Sequence, residues 1–207
     1  MKTPIALPLA ELAPTPELFT HFSPLHGQAH VARVMVHAFR LIEATGWIEE
    51  APRLWAAVYL HDLARTHDGI CHRHGADAMK KFEQLPAVRA LFTRGGVREE
   101  DYPVIKTAVV HHCAANELQQ SHPHWRLASL LKDADALDRV RIGDLDPRYL
   151  RNSEARQMID FAHALFEQTD GMIAAGRAHF AELWPEALRI AGSATHAFPS
   201  TNGLSQP

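Results

Sequence analysis

His61 and Asp62 stand side by side at the close of an apolar segment, Ala56-Ala57-Val58-Tyr59-Leu60-His61-Asp62-Leu63-Ala64. At helical spacing that segment carries both side chains toward its own interior. An ionised carboxylate buried there costs several kcal/mol unless a cation or strong hydrogen bonds compensate. A divalent metal ligated by both side chains is one such compensation; a satisfied histidine beside a capping or salt-bridging aspartate is the plainer alternative. Fifteen histidines in 207 residues favour the metal, because imidazole is the commonest transition-metal ligand. His30 lies one turn before Val34 on an apolar helical face. His74 stands near the start of another helical stretch, His111 and His112 close a third, and Asp135 and Asp138 share a face with Leu131. Imidazoles with carboxylates make a hard-to-intermediate site, unlike the thiolate sites of structural zinc. No CxxC pair is present to suggest the latter.

Other chemistries find less support. There is no G-x-S-x-G elbow and no GxxxxGK[ST] loop, and Gly95-Gly96 lacks the lysine of a phosphate loop. Neither Cys71 nor Cys113 lies in a nucleophile motif. Any substrate phosphate would therefore meet side chains. Arg33, Arg65 and Lys132 are the candidates by nearness in sequence to the ligands, each weighed against an ordinary surface salt bridge.

The elements that must position these residues read as helices. Val31, Val34, Met35, Ala38, Leu41 and Ile42 predict a helix over 26–45 stopped by Gly46. A second runs from Ala51-Pro52 through the His61-Asp62 pair to Ala64. A third starts at His72 or His74 and ends before Pro86, followed by a short apolar piece from Val88 to Phe92. Glu99-Glu100-Asp101 put acids in the first turn of a helix that continues to His111-His112-Cys113. Gln119 to Trp125 reads as a loop, Arg126 to Leu137 as a helix, and two more helices are expected over 153–168 and 171–190. Strand alternation, repeats and heptads are missing from the pattern, so the expected fold is a single-domain all-α bundle with a metal site between helices. Residues 1–20 read as an N-terminal extension, 21–190 as the domain and 191–207 as a disordered tail. A net charge of −3 with 46% apolar and 22% charged residues gives no basic excess to attract nucleic acid or an anionic membrane. The proline-broken N-terminus is a poor signal peptide, no apolar run reaches membrane-spanning length, and two cysteines suit a reducing, cytoplasmic setting.

The order H…HD…D resembles the HD-domain superfamily of metal-dependent phosphohydrolases. His30-Val31-Ala32-Arg33-Val34 resembles its opening motif, Leu60-His61-Asp62 its central pair and Lys132-Asp133-Ala134-Asp135-Ala136-Leu137-Asp138 its closing element. The similarity spans roughly 23–141. It implies a first metal site on His30, His61, Asp62 and Asp135, and in binuclear branches further ligands that here fall on His74, His111 and His112, with Asp62 bridging. His67 and His72 compete with His74 in the same loop. It also implies one or two divalent ions (Mn, Mg, Co, Fe, Ni or Zn), catalysis involving Asp62, His61 and His111, and metal-activated water attacking a phosphate ester or anhydride of a nucleotide or related small metabolite. Alternatives within that fold are a di-iron oxygenase, a metal-independent phosphodiesterase using His26 or His111, and a non-catalytic ligand-binding module.

Overall fold

The computed structural model describes residues 2–174, 177 and 179–195, and among them every regular element is helical and no strand occurs. Helix α1, Gln28–Thr45, ends at Gly46, whose φ of +72° forms a left-handed cap with its N–H returned to the Ile42 carbonyl. Every residue from Ala29 to Phe39 is buried. A helix enclosed on all sides has no solvent face, so His30, Arg33 and His37 are interior. Helix α2, Ala51–Leu60, is equally enclosed from Leu54 onward and takes Pro52 in its first turn, where no backbone donor is lost.

Three helices complete the surroundings of the site, α3 (His74–Phe82), α5 (Tyr102–His112) and α6 (Trp125–Leu137), while α4 (Pro86–Arg94) packs on α3. They are followed by α7 (Ser153–Arg156), α8 (Ile159–Ala174) and α9 (Phe180–Thr195). Helix α1 packs against α2, α6 and α9, and α5 against α2, α3 and α6. The approach of α3 to α5 depends on Gly75: a Cβ there would lie 2.1 Å from the Val109 carbonyl oxygen. No helix among the described residues is long and apolar enough to cross a membrane.

Several boundaries differ from the sequence expectation. Helix α2 stops at Leu60, and 61–64 continue as a tight turn in which Leu63 N–H donates to the Leu60 carbonyl and Arg65 N–H to that of Asp62. The expected 153–168 helix is two, and the second runs on through Gly171 to Ala174. An exposed helical glycine costs only about 1 kcal/mol relative to alanine, less than the burial of Phe161, Ala162 and Leu165 on the same helix contributes. Helix α9 extends to Thr195, beyond the expected limit of 190; the rest of the predicted tail, 196–207, lies outside the described residues. The N-terminal segment belongs to the core and is no appendage. Ile5 and Leu12 are buried, Trp55 Nε1–H donates to the Leu12 carbonyl at 2.8 Å, and Thr20 N–H donates to that of Leu63 at 2.9 Å.

Candidate metal centre

Two helix ends use the same local device. At the end of α2 the His61 Nδ1–H donates to the Val58 carbonyl three residues back, at 2.8 Å, and at the end of α5 the His112 Nδ1–H donates to the Val109 carbonyl at 2.5 Å. The last carbonyls of a helix have no intrahelical partners, so a histidine there satisfies one and fixes its own tautomer, leaving the Nε2 lone pair to face outward. His74 at the start of α3 is fixed similarly, Nδ1–H donating to the Cys71 carbonyl at 2.9 Å. His30 is held by a carboxylate, with Nδ1 2.7 Å from Asp138 Oδ2. Partners of this kind orient metal-ligating imidazoles and raise their basicity.

The Nε2 atoms so aimed converge on Asp62 from two sides. Its Oδ2 lies 3.4 Å from His30 Nε2 and 3.7 Å from His61 Nε2, while its Oδ1 lies 3.1 Å from His74 Nε2 and 3.8 Å from His112 Nε2. Across the first side, His30 Nε2 is 3.3 Å from both His61 Nε2 and Asp135 Oδ1. On the second, His74 Nε2 and His112 Nε2 are 2.8 Å apart. With every Nδ1 committed as a donor, neutral rings would bring lone pair against lone pair beside carboxylate oxygens. Each cluster needs positive charge at its centre. Donors that share an ion at about 2.0–2.2 Å stand roughly 3 Å apart, so both sets have the spacing and the chemistry of a divalent-ion site.

The electrostatics carry the same signature. Burial and the Arg141 charge press the His30 pKa down, yet Asp135, Asp138 and Asp62 outweigh them and lift it to about 9. His74 is lowered by burial and raised further by Asp62 and Cys113, to about 10. Burial raises the Asp62 carboxyl, but His61, His112, His26 and His30 hold it well below the usual range. Burial, helped by His112 and His30 and opposed by Asp62 and Asp135, takes His61 down to about 4. Without an ion, then, protons on His30 and His74 supply the charge the carboxylates demand. The helix ends add to that demand: Asp62 follows the C-terminus of α2, and Asp135 lies in the last turn of α6, where the helix dipole opposes an anion.

Behind His30, Asp138 is fully buried and accepts hydrogen bonds from Arg33 Nε at 2.5 Å and Arg33 Nη2 at 3.1 Å, with Arg141 Nη1 at 3.4 Å. In front, a cleft of 340 Å³ exposes Asp62, His74, His112 and Asp135 and is walled by Arg65, Arg139 and Arg141. A second cleft of 300 Å³ shares His112, Asp135 and Arg139 with it and adds Lys132 and Arg151.

Of the residues singled out from sequence, His30, His61, Asp62, His74, His112 and Asp135 come together. His111 does not. Neighbouring positions on a helix diverge by about 100°, and His112 takes the inward direction while His111 contributes no atom to any of the clusters. Arg33 is likewise not available to substrate, because its guanidinium is buried against Asp138. Arg65 and Lys132 do line the clefts, although Lys132 is paired with Glu117 at 2.8 Å. Among the loop histidines, His67 and His72 are exposed, and His72 Nδ1–H donates to the Cys113 carbonyl at 2.8 Å; His74 is the one that reaches Asp62.

Sequence reasoning named His26 only as a catalyst in the metal-independent alternative and did not place it against Asp62, whose Oδ2 lies 3.3 Å from its Nδ1, nor did it name Asp138 as the partner of His30. Asp138 gave a signal, a carboxylate on the face of a buried leucine; His26 gave only its distance of one turn from His30. Comparison with protein-family models, with curated proteins and with solved structures gives no match for this chain.

Proposed function

We propose that the chain is a metal-dependent phosphohydrolase acting on a phosphate ester or anhydride of a nucleotide or similar small metabolite, as its resemblance to the HD-domain superfamily suggests. The observation that carries this reading is the division of Asp62, one carboxylate oxygen facing His30 and His61 and the other facing His74 and His112. His30, His61, Asp62 and Asp135 on one side and His74, His112 and Asp62 on the other would hold divalent ions, whose chemistry there would be to acidify a water toward neutrality and polarise a phosphoryl oxygen. The chain's own residues do the rest. Asp138 keeps the His30 proton on Nδ1 and so keeps Nε2 free. Arg65 lines the cleft and is held by donation through Nη2 to the Gly69 carbonyl at 2.8 Å. Arg139 and Arg141 line the same cleft, and guanidinium groups of this kind would orient a phosphate. His26, with one ring nitrogen between Asp62 Oδ2 and Arg141 Nη2, each at 3.3 Å, is the side chain best set to hand a proton to a leaving oxygen. Both cysteines are free thiols, in keeping with a cytoplasmic setting.

The first cleft sets three arginines beside three aspartates, an arrangement in which divalent ions at the carboxylates and guanidinium groups around them would together receive a phosphate. A phosphate-release screen over nucleoside mono-, di- and triphosphates, cyclic nucleotides and sugar phosphates tests the reading. Turnover of at least one class, abolished by chelation and restored by a divalent ion, is expected. Chelator-resistant turnover, or iron-dependent oxygen consumption with no phosphate released, would overturn it.

A further inference from the structure

The side of Asp62 that faces His74 and His112 has a donor the other side lacks. Cys113, which caps the C-terminus of α5, offers Sγ to a set in which one ligand atom each from His74, His112 and Cys113 lie within 4.8 Å of one another. The thiol is half-buried and lines the first cleft. Its hydrogen bond to the Val110 carbonyl is long, at 3.8 Å. Both imidazoles are already oriented by backbone carbonyls and both are buried. The backbone of Cys113 is tied down as well, its carbonyl accepting from His72.

A half-buried cysteine at a helix end often does no more than fill space as a small apolar group. Two oriented imidazoles around the same point, with Asp62 Oδ1 3.1 Å from the Nε2 of His74 and 3.8 Å from that of His112, give this one a ligand's surroundings. The other side of Asp62 is completed by a carboxylate, Asp135, and carries no sulfur among the described residues. Thiolate favours softer ions, whereas carboxylate and imidazole accept harder ones.

We propose that Cys113 is a metal ligand, and that His74, His112, Cys113 and Asp62 Oδ1 form a sulfur-containing site selecting zinc or cobalt over magnesium. Beside it, His30, His61, Asp62 Oδ2 and Asp135 form a site of nitrogen and oxygen alone. This rests on the metal-centre reading above and adds that its two halves are chemically unequal.

The test uses the full-length protein reconstituted with cobalt(II). Wild-type protein should give visible ligand-field bands together with an intense thiolate-to-cobalt charge-transfer band in the near ultraviolet. Cys113→Ser should lose the near-ultraviolet band, retain visible bands from the other ion and bind the second cobalt at least about tenfold more weakly. Cys71→Ser, altered in the same cleft, should keep the whole spectrum. X-ray absorption at the zinc edge of unmodified protein gives an answer that needs no variant, with sulfur scattering expected at about 2.3 Å. Visible bands without charge transfer, charge transfer that survives in Cys113→Ser or disappears in Cys71→Ser, or a zinc shell without sulfur would overturn the cysteine ligand while leaving the metal centre standing. Failure of the wild-type protein to take up cobalt or zinc at all would remove both.

Discussion

His30 offers its Nε2 lone pair to the centre only because Asp138 holds the proton on Nδ1, and Asp138 can be buried as an anion only because Arg33 and Arg141 meet it. Loss of charge at Asp138 should act twice. Asp138→Asn leaves the Arg33 guanidinium buried without a counter-ion, which costs about 3–5 kcal/mol, and it loosens His30, which should weaken metal binding by about 10–100-fold. The paired variant Arg33→Met with Asp138→Leu separates the two effects. Denaturant titration should show part of the stability returning, because apolar residues replace a buried ion pair well, while metal titration should show affinity still lost; affinity returning along with stability would make Asp138 a structural counter-ion only. At this scale the members of the cluster were legible, since an ionisable group on an apolar helical face at His30, His61, Asp62, His112 or Asp135 has few ways to be satisfied. Arg33 was misread because three residues along a helix put it near His30 in sequence but on the side turned toward Asp138. His111 and His112 were indistinguishable until the rotation of α5 was known.

Helices deliver these groups by their ends. The C-terminal ends of α2, α5 and α6 and the N-terminal turns of α1 and α3 meet around Asp62, and α3 approaches α5 closely at Gly75. Gly75→Ala would place Cβ 2.1 Å from the Val109 carbonyl oxygen, which also accepts the His112 Nδ1–H at 2.5 Å. Backbone cannot yield cheaply there, so the helices should separate at a cost of about 1–3 kcal/mol. The ion between His74 and His112 should be lost from the variant and the one at His30 and His61 kept; elemental analysis returning both ions would show that the pair tolerates the shift. Helix existence was readable from apolar spacing, and helix ends less so. The break in α2 after Leu60 follows from the tight turn that presents Asp62, a tertiary requirement, and the passage of α8 through Gly171 follows from packing that outweighs a weak local preference.

Across the molecule, charges of both signs gather at the clefts. A chain of net charge −3 sets Arg65, Arg139 and Arg141 beside Asp62, Asp68 and Asp135 in one cleft and Lys132, Arg139 and Arg151 beside Asp135, Asp144 and Asp146 in the adjoining one, so cations bound at the carboxylate centre would tip the local field toward an anionic substrate. The all-α class was legible from composition and periodicity, whereas the role of the N-terminal segment was not: its prolines read as an extension, but Ile5 and Leu12 close the core beneath α2. The central claim is that Asp62 is shared by two ion sites. Elemental analysis of Asp62→Asn beside the wild type, with His111→Ala as a control, tests it most directly. The account expects two divalent ions per wild-type chain, both retained in His111→Ala and both lost, with turnover, in Asp62→Asn at largely unchanged helix content. Wild-type metal content and turnover in Asp62→Asn would contradict it.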